Sequence, residues 1–286
     1  MIFALPLYDD NPTRRPPVAT WFLIGSCIGA FTWQLGHDER QIALSFGMIP
    51  AVLFGSAHLM PTLNVVPPWA TPLTSMFLHG GWFHLIGNMV FLWIFGNNVE
   101  DALGRGRYLV LYLGSGVAAA LSQALSSPAD RVPMIGASGA IAGVVGAYLL
   151  LYPWAKVHVF LWIVIFFRIV TVPAWTLLGL WFAMQLVSGL MRPPGSPGVA
   201  FWAHVGGFVG GLILVVLLRP ASLMPLHPPR TTGFAAVHPF DRASDRGASH
   251  GARASRGSRR SRSCAKGSRC ARGSGRRAAA IPSAGP

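Results

Sequence analysis

The stretch Val199–Leu218, VAFWAHVGGFVGGLILVVLL, is 20 residues long and carries no charged side chain. A bilayer core about 30 Å thick needs roughly 20 mostly apolar helical residues, because no water is there to satisfy a free backbone group. The stretch therefore reads as a membrane-spanning helix. Five further stretches meet the same need, approximately Val18–Leu35, Leu78–Val99, Tyr108–Ser126, Met134–Tyr152 and Pro173–Met191. Breaks containing charged residues, glycine or proline separate them, among them Asp38-Glu39-Arg40, Gly104-Arg105-Gly106-Arg107, Tyr152-Pro153 and Arg192-Pro193-Pro194-Gly195. Trp21, Trp33, Trp82, Tyr108, Tyr152, Trp154 and Trp202 stand near span ends, where amphipathic rings sit at headgroup depth. One apolar run, Val157–Phe167, lies between Lys156 and Arg168 but is only about 11 residues long, too short to cross. It reads as a segment along the inner surface before the fifth span, with a re-entrant course left open.

Composition points the same way. Of 286 residues 52% are hydrophobic and 11% charged, against about a quarter charged in a soluble domain. The net charge of +14 suggests a nucleic-acid binder until it is divided by position. Residues 219–286 hold 13 Arg and one Lys against Asp241 and Asp245, leaving a body that is close to neutral. The Arg/Ser/Gly-rich tail cannot bury enough surface to offset chain entropy, so it is expected to be disordered. It reads first as a solvated cytoplasmic tail. Contact with anionic lipid is the sharper expectation for it, and nucleic-acid binding is not expected without an aromatic stacking platform. Cys27, Cys264 and Cys270 make neither a disulfide framework nor a zinc spacing, so no metal or cofactor is expected.

Lys and Arg counts in short loops set the orientation. With the amino terminus inside, the inner side carries Arg14, Arg15, Arg105, Arg107, Lys156, Arg168 and the tail; the outer side carries Arg40, Arg131 and Arg192. Both termini are therefore expected in the cytoplasm, in a bacterial inner membrane. Arg14-Arg15 resembles a signal-sequence flank, and Ile24-Gly25-Ser26-Cys27 loosely resembles a lipoprotein cleavage box. That box falls inside the apolar run, so an uncleaved first helix is expected. The fold class is thus an all-α membrane protein with residues 1–15 as a cytoplasmic segment, 16–218 as a six-helix membrane domain and 219–286 as the tail.

Hydrogen-bonding groups inside a span are costly and are candidates for function. The second span holds His79-Gly80-Gly81-Trp82-Phe83-His84 and Asn88, the fourth Gly136-Ala137-Ser138-Gly139, the sixth His204. Each has an ordinary reading: a Ser bonding its own backbone, a packed His, an Asn bonding a neighbouring helix. Topology links them, because spans two, four and six all enter from the outer side. His84, Ser138 and His204 then lie some 6–9 Å below their helix starts at roughly 1.5 Å per residue. His84 and Asn88, four apart, share one helix face. Gly139, Gly143 and Gly146 in span four, and Ala203, Gly207 and Gly211 in span six, form small-residue faces whose packing would draw Ser138 and His204 together.

His84-x-x-x-Asn88, Gly136-Ala137-Ser138-Gly139 and Ala203-His204-x-x-Gly207-x-x-x-Gly211, in that order in separate spans, resemble the rhomboid intramembrane serine proteases. The resemblance covers roughly residues 16–218, and Asn98-Val99-Glu100-Asp101, placed after the second span, also looks like the family. It implies Ser138 as nucleophile and His204 as general base. Oxyanion donors are implied to be His84, Asn88 and the Ser138 N–H, with transmembrane proteins as substrates. No carboxylate in the spans stands where a third triad member would, so a dyad is expected. Two departures stand out. Trp69 is followed by Ala70 where many members have Arg, and Ala142 replaces an aromatic residue four after the serine, so another side chain must orient His204. The alternatives are a non-cleaving rhomboid-like membrane-protein binder, which would normally lack the serine or histidine, and a transporter, which would be expected to show repeated halves. Substrate, cleavage site, oligomeric state and regulation are not legible in the chain.

Overall fold

The computed structural model describes residues 2–163, 165–191, 198–220 and 226. The tail beyond Pro220, Leu226 apart, lies outside them, and so do the expectations placed on it. Nine helices occur among the described residues: α1 (Val18–Gln34), α2 (Glu39–Phe46), α3 (Pro50–Leu53), α4 (Thr71–Thr74), α5 (Trp82–Leu103), α6 (Arg105–Ser126), α7 (Ser138–Leu151), α8 (Ala174–Met191) and α9 (Phe201–Leu218). Short 3-10 turns at Pro68–Ala70 and Ser75–Phe77 flank α4. Helices stand at all six expected positions. By length and composition, α6, α8 and α9 qualify as spans, and the bent pair Pro68–Phe77 with α5, which turns by 83°, makes a fourth. α1 and α7 are shorter, at 17 and 14 residues.

α7 is the centre of the bundle. Every residue from Gly139 to Tyr148 is buried, and α5, α6 and α9 all pack on it. At 14 residues it is about 21 Å long, and protein rather than lipid covers its backbone. Small residues permit this. A β-carbon on Gly207 would collide with the Gly139 carbonyl oxygen, and one on Gly211 with that of Gly143, so α7 and α9 meet backbone to backbone.

α1 is held by a carboxylate. Glu100, 3% exposed in the last turn of α5, accepts the Ala19 N–H (2.9 Å), the Thr20 N–H (2.7 Å) and the Thr20 hydroxyl (2.8 Å). Pro17 offers no capping side chain, so this distant carboxylate satisfies first-turn donors that a helix leaves unpaired. The Asn98–Asp101 segment thus lies within α5, not beyond it. Tyr108 and Tyr152 also depart from expectation: both are fully buried rather than interfacial, and the Thr20 hydroxyl bonds the Tyr108 oxygen at 3.2 Å.

The all-α expectation needs correction. β1 (Ile2–Asp9), β2 (Lys156–Ile163) and β3 (Phe166–Pro173) form an antiparallel sheet in the order β1-β2-β3. Lys156 pairs with Pro173 and Val157 with Val172, while Asp9 of β1 pairs with Val157. The run read as a surface segment is therefore a hairpin strand. Its β-branched and aromatic residues suit a pleated surface, and Val157 and Val159 are buried at the strand period of two. A short apolar run cannot be told from helix by periodicity alone, which is why the partner strands decide it. The hairpin returns the chain to where α7 ended, with the Ala174 N–H on the Ala155 carbonyl (2.8 Å) and the Trp175 N–H on the Pro153 carbonyl (3.0 Å). At its far end Ile165, Phe166 and Phe167 are exposed.

Candidate active site

Three helix starts converge. His84 lies in the first turn of α5, Ser138 is the first residue of α7, and His204 lies in the first turn of α9. Each stands nearer its helix start than the 6–9 Å expected, because α5 begins at Trp82 and α7 at Ser138 rather than four residues earlier.

The chain before α7 is pinned on both sides. Met48 and Met134 exchange backbone hydrogen bonds (3.0 and 2.8 Å), and the Gly136 N–H donates to the Ser75 carbonyl (2.9 Å). Gly136 takes φ +130°, and a β-carbon there would lie 2.7 Å from His84 Cε1. Only glycine fits that conformation and that contact. Gly139, Gly143, Gly207 and Gly211 lie below it on the shared seam of α7 and α9.

Ahead of α5, the Gln34 side chain of α1 brackets the His79 backbone, accepting its N–H (3.0 Å) and donating to its carbonyl (3.2 Å). The Gly80 N–H donates to His84 Nδ1 (3.4 Å). With Nδ1 accepting, the neutral ring carries its proton on Nε2, the nitrogen facing Gly136. One turn on, Asn88 is buried and its Nδ2 has no hydrogen-bond partner. An orphaned buried donor is costly unless something arrives to accept from it.

Ser138 Oγ lies 2.8 Å from His204 Nε2, and His204 Nδ1 lies 2.7 Å from Gln185 Oε1 on α8. The Trp181 ring is 5.7 Å from the His204 ring, tilted by 42°. Ala142, where an aromatic side chain was missed in the sequence, is buried and does not touch this role; Trp181 occupies the flank of the imidazole instead. Among the described residues no group of three or more His, Cys, Asp or Glu is placed to hold a metal ion. The row of amide, imidazole and hydroxyl, facing unspent donors on α5, can do acyl-transfer chemistry.

The Rhomboid domain family matches residues 67–221, more than half of the chain. The chain belongs to the rhomboid family. Similar proteins include the putative rhomboid protease YdcA of Bacillus subtilis, 38% identical over 28% of this chain and 40% of that one. RHOMBOID-like protein 4 of Arabidopsis thaliana is 34% identical over 77% of this chain and 50% of its own. RHOMBOID-like protein 6, mitochondrial, from the same plant is 32% identical over 77% and 66%. The chain spans half or less of the length of the first two. Membership makes this rhomboid an integral membrane protein.

Gln185 and Trp181 escaped the sequence reading. The rule that singled out Asn88 applies equally to Gln185, a lone amide in the apolar run Ala174–Met191. What hid it is that α8 carries no motif, and only packing reveals which of its faces meets α9.

Proposed function

We propose that this rhomboid is an intramembrane serine endopeptidase that cleaves transmembrane proteins with a Ser138–His204 dyad. The observation that carries the reading is the 2.8 Å contact between Ser138 Oγ and His204 Nε2. His204 Nε2 takes the hydroxyl proton as Oγ attacks the scissile carbonyl carbon, and the imidazolium returns it to the departing amine. Water, activated by the same nitrogen, then hydrolyses the acyl-enzyme. Negative charge on the carbonyl oxygen meets His84 Nε2–H, the unpartnered Asn88 Nδ2 and the Ser138 N–H, which as the first of α7 has no partner inside its helix. Each such donor is worth about 2.7–4 kcal/mol in the transition state.

A peptide bond inside an intact helix is shielded by its own turn, so the substrate segment must unwind near the site. Helix-weakening residues near the cleavage position follow, and small side chains at that position are what the family resemblance implies. Six helices, α1 and α5 to α9, cross a bilayer in this reading, with both termini cytoplasmic in a bacterial inner membrane and the site near the outer leaflet. The basic tail then faces anionic lipid on the inner side.

The test uses the purified protein in liposomes with a reporter single-span substrate. Cleavage that is lost in Ser138→Ala and in His204→Ala, with unchanged melting, supports the reading. Cleavage persisting in Ser138→Ala ends it. Binding of the reporter without cleavage by the wild type would mark a non-cleaving member instead.

A further inference from the structure

We infer that Gln185 of α8 is a positioning residue for His204, fixing the tautomer that lets Nε2 act as base. The inference rests on the protease reading above and extends it to a residue outside the dyad. A neutral imidazole carries one proton, and its two nitrogens have opposite roles. For Nε2 to accept from the Ser138 hydroxyl, the proton must sit on Nδ1. In a half-buried site that N–H needs an acceptor, since an unpaired donor there costs as much as a lost hydrogen bond. Gln185 Oε1, 2.7 Å from Nδ1, is that acceptor.

The geometry assigns the task to α8 as a whole face. Trp181 and Gln185 are four residues apart, so both lie on the side turned to α9. Trp181 limits rotation of the imidazole from the flank while Gln185 fixes which edge points at Ser138. The ordinary reading of a lone Gln in an apolar helix is a bond that holds two helices together. That reading predicts lost stability. Positioning predicts lost turnover with the fold intact.

An amide also differs from a carboxylate in this place. It accepts the Nδ1 proton's hydrogen bond without bringing a charge into a low-dielectric site, so it orients the ring at no desolvation cost of its own ion. The same bond persists when His204 becomes an imidazolium, so the ring need not move during the proton transfer.

The test compares Gln185→Met, which keeps the length but removes the acceptor, with Gln185→Glu, which keeps an acceptor. Turnover of the reporter substrate, melting in detergent and the ring-nitrogen NMR of His204 are measured for each. Expected for Gln185→Met is a kcat lower by roughly 10- to 100-fold, by analogy with the loss of a partner that orients a metal-bound histidine. KM and melting should stay near wild type, and the His204 proton should shift from Nδ1 toward Nε2. Gln185→Glu should recover much of the turnover. A Gln185→Met protein with unchanged kcat and an unchanged tautomer overturns the inference. So do Met and Glu variants that are equally slow and equally destabilised, which would make Gln185 structural. If Ser138→Ala still cleaves, the protease reading is what fails, and the ring-nitrogen signal still decides whether Gln185 sets the tautomer.

Discussion

Gly207 of α9 lies directly over the carbonyl oxygen of Gly139, one residue after Ser138, with no room for a β-carbon between them. This contact sets how near His204, three residues before Gly207, comes to the hydroxyl. A bulkier residue must push the two backbones apart, and overpacking a close seam costs about 1–3 kcal/mol. We expect Gly207→Val to melt lower and to lose covalent labelling by a fluorophosphonate, with Gly207→Ala affected in the same direction but less. Normal labelling of Gly207→Val would show that the seam does not control the dyad.

Asn88 holds its Nδ2 unpartnered in a buried place. Removing a donor used only in the transition state lowers kcat rather than binding. Asn88→Ala is expected to reduce kcat by about 10²–10³ while KM moves little. Because the wild-type donor already lacks a partner, melting should not fall. A variant with normal kcat would remove Asn88 from the oxyanion site.

Gly136 combines φ +130° with the His84 ring against its α-carbon. Gly136→Ala should strain the loop and displace that ring together. Loss of turnover with a modest drop in melting temperature is expected, and an active, fully stable Gly136→Ala enzyme would refute the contact.

Glu100 caps α1 from across the bundle through three hydrogen bonds. Glu100→Ala strands the Ala19 and Thr20 donors, and a lost cap of this kind costs about 2 kcal/mol. Lower melting in detergent is the readout, with the labelling rate of the folded fraction unchanged.

Asp9, at the end of β1, is pushed up to about 7 by desolvation, while the hydrogen bond from the Tyr148 hydroxyl pulls it down and the neighbouring Asp10 adds to the rise. The Asn98 amide donates to the same oxygen at 2.8 Å. A carboxyl whose folded pKa lies above its unfolded value keeps its full stabilisation only below the unfolded value. Its contribution then falls as pH rises from about 4 to about 7. We expect Asp9→Asn to flatten melting over that window and to melt higher than wild type at pH 8. Parallel curves for the two proteins would contradict it.

Much of the bundle was legible because its causes are local. The uncharged, mostly apolar run Val199–Leu218 can only be satisfied in lipid as one helix, and the intervals of four among Gly139, Gly143, Ala203, Gly207 and Gly211 announce a close seam whatever the partner. Ser138, His204, His84 and Asn88 could be singled out for the same reason, as polar groups where they are expensive. The strand character of Val157–Phe167 was not legible. Its neighbours Ile2–Asp9 lie about 150 residues away in the chain, and an apolar run of that length suits either structure until a partner pairs with it.

Sequence alone determined that this chain lives in lipid and which hydroxyl and imidazole are its reactive candidates, because hydropathy and the cost of buried polarity act residue by residue. Only the tertiary structure decided that they lie 2.8 Å apart and that Gln185 holds the other edge of the ring. The reason is physical: distances between helices depend on how side chains interlock across a seam, and α8, which has no motif of its own, acquires its role from the helix it packs against.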